Sequence, residues 1–271
     1  MLERIVLIIL AALNLFLLSV VVTDRAEARG SRAETVRQVT QLLERNGIRA
    51  DDGAITVRSA PPRITLSRSL SREAEMIRSM MGETGQEDLG GNILFYRGGD
   101  GQALLRGSGE IAALFSPGRV TLRGDAVRTS QRLLRRAGLD AEIFASGADT
   151  ADNSYADAYC CWDGCPVFNA VLRFDYSGEN LYMITGTRSF DTASEQKTEG
   201  LMDSVSALLR FVEFVNSEGF ICSRLTAIRP GYMQTVVVSG ESSLSPVWRI
   251  TTDTGDLLVY AESGRVEAFG A

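Results

Sequence analysis

The chain contains no histidine and only one lysine, Lys197, among its 28 basic residues. The lack of histidine removes the commonest general base, the commonest metal ligand and the serine–histidine–aspartate type of triad. It also removes the simplest pH switch. Acidic residues number 34, which gives a net charge of −6. This charge balance argues against nucleic acid as a partner.

Cysteine is also scarce, with four residues in 271. Cys160, Cys161 and Cys165 form one cluster, and Cys222 stands apart from it. A structural zinc site usually needs a second pair of cysteines, and here Cys222 alone would supply it. A zinc site, one or two disulfides and reduced thiols all stay open. Disulfides are typical of extracytoplasmic proteins, and in that case we expect Cys222 to pair with one of the clustered cysteines.

An uncharged apolar run occupies residues 5–22. As a helix its eighteen residues would span roughly 27 Å, close to the hydrocarbon core of a bilayer. A buried core helix would normally show a polar stripe, which this run lacks. A cleaved signal peptide is the stronger alternative, because Ala26-Glu27-Ala28 has the small-x-small pattern of a cleavage site. We predict a retained single-pass transmembrane anchor, with residues 1–30 forming the anchor and its linker.

The predicted anchor offers one polar group for contact with another helix. Asn14 has Ala11 and Leu18 on nearly the same helical face. Small residues allow close approach of helices in lipid, and an amide can form hydrogen bonds between them. These three residues are therefore candidates for a lateral interaction inside the membrane. Basic residues lie on both sides of the run, so charge alone does not fix its orientation.

The remainder of the chain reads as helices alternating with short strands, which predicts an α+β fold with antiparallel sheets. Amphipathic patterns predict helices over residues 33–45, 71–82, 127–138 and 199–216. Apolar and β-branched runs predict strands over residues 55–57, 64–66, 92–96, 103–105, 110–115, 119–122, 167–176, 181–190, 220–228, 233–238, 247–252, 257–260 and 265–269.

A sequence pattern that lies shortly after the predicted anchor recurs later in the chain. The pattern that begins at Val36-Arg37 and ends at Gly47 returns, 91 residues on, between Val127-Arg128 and Gly138. The similarity could also be that of two unrelated amphipathic helices, which often end at glycine. We predict two related domains, over residues 31–123 and 124–271.

No conventional catalytic or cofactor site stands out in the body. The glycine-rich segment at residues 98–101 lacks the lysine of a phosphate loop and is expected to be a hairpin turn. Acidic and amide residues between positions 149 and 157 predict a solvated loop, with a weak calcium site as the alternative. These residues are Asp149, Asp152, Asn153 and Asp157. We predict a protein that is not an enzyme and needs no cofactor or metal.

Two stretches resemble a known family. The anchor core, residues 13–17, reads Leu-Asn-Leu-Phe-Leu, and the tail, residues 246–266, contains Pro-Val-Trp-Arg-Ile, Asp-Thr-Gly and Val-Tyr-Ala-Glu-Ser-Gly-Arg-Val. The first resembles the leader of YycI-type proteins, which are membrane-anchored regulators of a two-component histidine kinase in Gram-positive bacteria. The second is similar to the last strands of that family and of PepSY domains. The cysteine cluster departs from the family pattern, and so do the high arginine content and the short segment before the anchor, where a lysine-rich leader is expected.

The resemblance implies a cytoplasmic amino terminus and an extracytoplasmic body in the cell membrane. It also implies regulation of a sensor histidine kinase through protein contacts, with a YycH-type sister protein as a second partner. An alternative function is a PepSY-like inhibitor or chaperone module for a secreted or cell-wall enzyme. A histidine-independent hydrolase of the serine–lysine type is disfavoured, because Lys197 is the only lysine.

Overall fold

The computed structural model describes residues 31–150, 152–189, 192–196, 200–236 and 241–270. This part of the chain forms an α+β fold with four helices and a large mixed sheet. The helices are α1 (residues 31–45), α2 (Leu70–Met81), α3 (Ala126–Arg136) and α4 (Ser204–Glu218). The strands are β1 (Arg49–Ala50), β2 (Arg63–Ser67), β3 (Thr84–Asp88), β4 (Ile93–Gly98), β5 (Gly101–Arg106), β6 (Glu110–Phe115), β7 (Ala141–Ala148), β8 (Asn153–Trp162), β9 (Cys165–Ser177), β10 (Asn180–Thr187), β11 (Thr192–Gln196), β12 (Arg224–Val236), β13 (Glu241–Thr252), β14 (Asp256–Tyr260) and β15 (Val266–Phe269).

One arrangement, a helix followed by a four-stranded antiparallel meander, occurs three times. Helix α2 precedes β3–β6, α3 precedes β7–β10, and α4 precedes β12–β15. Within each set the strands pair in chain order. Polar N-caps begin the three helices, since the side chains of Ser69, Asp125 and Asp203 each accept a hydrogen bond from a backbone N–H in the first turn.

The first two units merge into one eight-stranded antiparallel sheet, because β6 pairs with β10. Its strand order is β3-β4-β5-β6-β10-β9-β8-β7. The third unit gains β1 beside β12, in parallel, and β2 beside the first half of β13, with β11 paired to β2. The two sheets are joined where β12 runs parallel to β9, at Tyr232 and Val167.

Two main hydrophobic cores cover these sheets. In the first, α2 and α3 pack on the eight-stranded sheet, which contributes Leu172 and Tyr176. In the second, α1 and α4 pack on the sheet of the third unit, where Trp248 is fully buried and donates its indole N–H to the carbonyl oxygen of Met202 at 2.8 Å. Leu43 of α1 and Phe211 of α4 belong to this second core.

The predicted α+β class is confirmed, whereas several elements differ from the sequence-based expectation. Residues 55–57 form no strand, and residues 119–122 form only an isolated bridge between Thr121 and Asn180. Strands β3, β7 and β8 were not predicted, so the expected loop around Asn153 and Asp157 is wrong for those two residues, which lie on β8. Helix α4 starts at Ser204, five residues later than predicted, because Asp203 caps it.

The predicted division at residues 123 and 124 stays a prediction, but core packing crosses it. Helix α1 precedes this boundary and packs in the same core as α4, which follows it. Helices α2 and α3 lie on opposite sides of the boundary and share the first core. The repeated unit in the structure is one helix followed by four strands, and its three copies start at α2, α3 and α4.

The predicted anchor at residues 5–22, with its candidate contact residues Ala11, Asn14 and Leu18, lies outside the described residues. Within the part of the chain that the structure describes, no helix is both long and apolar enough to cross a membrane.

Candidate functional site

A groove of about 540 Å³ opens beside the junction of the two sheets. Its walls come from elements that are far apart in the sequence. The clustered cysteines Cys160, Cys161 and Cys165 lie on one side, together with Trp162. The other lining residues are Pro61, Pro62, Ile64, Arg72, Gly138, Leu139, Asp140, Asp163, Ser189 and Tyr232. This groove is the candidate functional site.

The cysteines reach the groove on a tight hairpin between β8 and β9. Trp162 pairs with Cys165, which leaves Asp163 and Gly164 as the two turn residues. Their φ angles are 48° and 71°, and positive φ at both positions is what a type I′ turn requires. The Gly164 N–H also donates to Oδ2 of Asp140 at 3.3 Å, so the turn is held against the loop that follows α3.

Two of the groove thiols, Cys161 and Cys165, are held in the protonated form. Cys160 and Cys161 are buried, and Cys165 is half-buried. Burial raises the pKa of the Cys161 thiol to about 12, with smaller contributions from the nearby carboxylates of Asp140 and Glu142. Burial also raises the pKa of Cys165, with a further contribution from Asp163. Because the thiolate is the reactive species, these cysteines are weak nucleophiles at neutral pH.

A charged pair stands beside the thiols. Arg229 donates from Nη1 to Oε1 of Glu142 at 2.7 Å, and its Nη2 contacts the second carboxylate oxygen. The hydrogen bonds from Arg229 hold the pKa of Glu142 below its usual value. Hydrogen bonding to Glu142 likewise raises the pKa of Arg229. Glu142 is thus ionised and bound at neutral pH and is poorly suited to act as a general base.

The structure brings three of the four cysteines together and leaves the fourth apart. Cys222 packs against the second core, just before β12, and burial raises the pKa of its thiol. All four are thiols in the structure, and the predicted pairing of Cys222 with the cluster stays a prediction that the positions of these residues argue against. Cys222 lies just before Arg224, the first residue of β12, whereas the cluster lies near Tyr232, where β12 meets β9. Arg224 and Tyr232 are eight residues apart, which is roughly 26 Å along a strand. A disulfide needs Cα atoms within about 7 Å.

Metal binding at the cysteine cluster gains no support. Within the described ranges, no group of three cysteine, aspartate or glutamate side chains is arranged to hold a metal ion.

The acidic residues near β8, where the sequence left a weak calcium site open, form ion pairs with an arginine. Arg173 pairs with Asp149 at 3.1 Å, with Asp157 at 3.5 Å and with Asp175 at 2.9 Å. Its guanidinium also lies 4.0 Å from the centroid of the Tyr155 ring.

A buried charged cluster was not found by sequence reasoning. Glu73 on α2 is fully buried, and its carboxylate accepts hydrogen bonds from Arg68 at 2.7 and 2.9 Å. Arg188, also buried, contacts the same carboxylate from the end of β10. Arg188 follows Glu73 by 115 residues, and no local pattern in the sequence links the two positions.

Aromatic side chains from both sheets form a chain of contacts that we call the aromatic row: Phe144, Tyr159, Phe168 and Phe269. Phe144 stacks on Tyr159 with 3.9 Å between ring centroids, and Phe168 lies 5.6 Å from Tyr159 and 5.7 Å from Phe269. Arg249 lies 4.9 Å from the Phe269 ring and donates to the Tyr159 hydroxyl at 3.2 Å. Phe144 is 44% exposed and stands at one end of the row.

The chain matches no family model and no curated protein. Among solved structures it is similar to a crystal structure of an uncharacterized protein from Eubacterium rectale. The TM-score is 0.48 at 10% sequence identity, over 82% of this chain and 90% of that chain.

Proposed function

We propose that the protein is a membrane-anchored, extracytoplasmic regulator that acts by binding other proteins and carries out no chemistry of its own. The observation that carries the proposal is the state of the groove. Burial raises the pKa of two of its thiols, that of Cys161 to about 12, and the neighbouring Glu142 is bound by Arg229. A site with protonated thiols and a paired carboxylate suits recognition better than catalysis.

The aromatic row supports contact with a protein partner. Phe144 is exposed, and its stacking on Tyr159 limits the conformations that its ring can adopt. Rigid exposed aromatic side chains lose little conformational entropy on binding and often dominate the energy of protein interfaces. Phe144 is therefore the residue on which we expect a partner to dock.

The identity of the partners rests on the resemblance of the anchor and the tail to YycI-type proteins. The proposed partners are a sensor histidine kinase and a YycH-type sister protein, reached in the membrane through Ala11, Asn14 and Leu18 and outside it through the body. The proposed location is the cell membrane, with a cytoplasmic amino terminus. The repeated unit of one helix and four antiparallel strands is compatible with such a binding scaffold.

A pull-down from solubilised membranes, read by mass spectrometry, tests the proposal. The bait is the full chain, and two variants are compared with it: Phe144→Ala and the control Tyr182→Ala. Tyr182 is 41% exposed on β10, so the control removes a similar exposed aromatic side chain elsewhere. We expect Phe144→Ala to lose the kinase or sister protein and the control to retain it. Retention by both variants, or recovery of no membrane protein, contradicts the proposal.

The alternative is a PepSY-like inhibitor or chaperone module for a secreted or cell-wall enzyme. The unit formed by α4 and β12–β15 favours it, because this helix and its meander contain the tail that is similar to PepSY domains. The same pull-down separates the two functions, since recovery of a secreted enzyme in place of a kinase supports the alternative.

A further inference from the structure

One segment of this acidic protein is strongly basic. Residues 117–139 contain six arginines and one acidic residue, Asp125, whereas the remainder of the chain has 22 basic and 33 acidic residues. The arginines are Arg119, Arg123, Arg128, Arg132, Arg135 and Arg136. Four of them surround a single groove, so the positive charge is concentrated at one place.

This arginine groove has a volume of about 390 Å³ and lies between helix α3 and the loop that precedes it. Arg119, Arg123, Arg132 and Arg136 line it, and Val120 and Leu133 provide apolar surface. Two threonines complete the lining, Thr121 and Thr129. The groove therefore combines several guanidinium groups with a hydroxyl-bearing wall, at a size that suits a small ligand or a lipid headgroup.

Two of the arginines are held in place by hydrogen bonds to the backbone. Arg132 donates from Nη2 to the carbonyl oxygen of Arg123 at 2.8 Å and from Nε to that of Arg128 at 3.4 Å. Arg119 donates from Nε to the carbonyl oxygen of Met80 at 3.0 Å and pairs with Asp100 at 3.2 Å. Because these side chains are already ordered, a ligand would lose less conformational entropy by binding to them.

Three of the four arginines that line the groove have no carboxylate partner to neutralise their charge in the part of the chain that the structure describes. Within the described part of the chain, Arg123, Arg132 and Arg136 form no ion pair with a carboxylate, in contrast to Arg68, Arg173 and Arg229. Asp125, the one acidic residue of the segment, caps α3 and lies 3.8 Å from Arg128. Like-charged guanidinium groups around one groove repel each other, and an anion bound between them would relieve that repulsion.

We propose that the arginine groove binds a phosphate group, presented by a small phosphorylated molecule or by the headgroup of an anionic lipid. A phosphate offers more acceptor oxygens than a carboxylate, and several guanidinium forks can bind them at once. An extended polyanion fits less well, because beyond this segment acidic residues outnumber basic ones by 33 to 22. The site does not depend on the proposed regulatory function.

Isothermal titration calorimetry on the full chain in a non-ionic detergent tests the proposal. The probes are glycerol 1-phosphate, as a free phosphomonoester, and dihexanoylphosphatidylglycerol, as a soluble anionic lipid. Dihexanoylphosphatidylcholine, which has the same acyl chains and no net charge, is the reference. The test variant is Arg123→Gln/Arg132→Gln/Arg136→Gln. The matched control is Arg78→Gln/Arg97→Gln/Arg106→Gln, which removes three exposed arginines elsewhere and changes the net charge equally.

We expect at least one anionic probe to bind more tightly than the reference, and binding to weaken about tenfold or more in the test variant only. Tight binding of glycerol 1-phosphate indicates a free phosphate ligand, and selective binding of the anionic lipid indicates a headgroup. If neither anion binds better than the reference, or if both triple variants lose binding equally, the proposal is wrong. The single substitutions Arg136→Gln and Arg97→Gln allow the same comparison if the test variant does not fold.

Discussion

Glu73 carries a fully buried carboxylate that contacts both Arg68 and Arg188. Substituting Glu73→Gln keeps the shape of the side chain but removes the buried negative charge that Arg68 and Arg188 both contact. We expect a loss of about 3–5 kcal/mol in the free energy of unfolding, measured by urea denaturation. The control is Glu34→Gln, which removes an exposed ion pair with Arg37 and should leave the denaturation midpoint unchanged. Equal midpoints for the two variants would contradict this account of the cluster.

Cys161 gives a second test at the scale of one residue, because its pKa is raised to about 12 by burial. The thiol reacts as the thiolate, so its rate of alkylation by iodoacetamide should rise about tenfold per pH unit until the pH approaches that pKa. A thiol with the ordinary pKa of 9.0 would be half ionised at that pH, and its rate would level off above it. Peptide mass spectrometry on the native protein between pH 7 and 10 follows the rate. A rate that levels off between pH 9 and pH 10 would show that the thiol is not buried as described.

At the scale of one element, the β8–β9 hairpin is shaped by its turn. Gly164 has a φ of 71°, and a Cβ there would meet no atom within 4 Å, so Gly164→Ala should act through backbone strain alone. We expect a loss of about 1–2 kcal/mol in the free energy of unfolding. Gly99→Ala is the control, because Gly99 also has open space but no left-handed φ. A chemical denaturation series compares the two, and a larger effect at Gly99 would be evidence against this turn geometry.

Element prediction succeeded where a pattern was local and failed where tertiary pairing decided the outcome. The hairpin of β4 and β5 followed from a glycine-rich turn between two apolar runs. Strand β8 was missed because its sequence around Asp157 is polar, yet the ion pair between Asp157 and Arg173 of β9 stabilises it there. The dipeptide Asp163-Gly164 is typical of two-residue hairpin turns, so the sequence did contain a local signal for the hairpin of β8 and β9.

The candidate groove could be anticipated only in part. The three clustered cysteines are neighbours in the sequence, so their common location was expected. Pro61 and Tyr232 reach the same groove from positions about 100 and 70 residues away from the cluster, and no periodicity links them to it. The environment that keeps Cys161 protonated arises from this long-range packing.

At the scale of the whole molecule, one side chain helps to join the two sheets. Asn169 on β9 donates from Nδ2 to the carbonyl oxygen of Gln234 at 2.8 Å, and its Oδ1 accepts from the Gln234 N–H at 2.8 Å. The Asn169 side chain thus forms with Gln234 the two hydrogen bonds that backbone groups of paired strands would otherwise form between β9 and β12. Asn169→Asp removes the donor and places a carboxylate oxygen against a carbonyl oxygen, which should cost about 1–3 kcal/mol.

We also expect Asn169→Asp to weaken the coupling between the two cores. Trp248 is buried in the second core and Trp162 packs against the first, so Trp162→Phe leaves a fluorescent reporter of the second core alone. In that background, unfolding followed by fluorescence and by circular dichroism should coincide for the parent and separate for the Asn169→Asp variant. Coincident transitions in both proteins would mean that the cores are coupled without this amide.

The described chain begins and ends in the same core, since α1 packs against α4 and Val266 of β15 joins them. A mechanical load applied between the two ends would therefore pass through α1 and the last unit. It would bypass most of the eight-stranded sheet, whose strands lie between these ends in the sequence. In a force-extension experiment with handles at residues 31 and 270, detachment of α1 or β15 should come first. The long segment between them should extend only afterwards. A tether at the amino terminus would thus transmit tension first to the last unit, the farthest from it in the sequence.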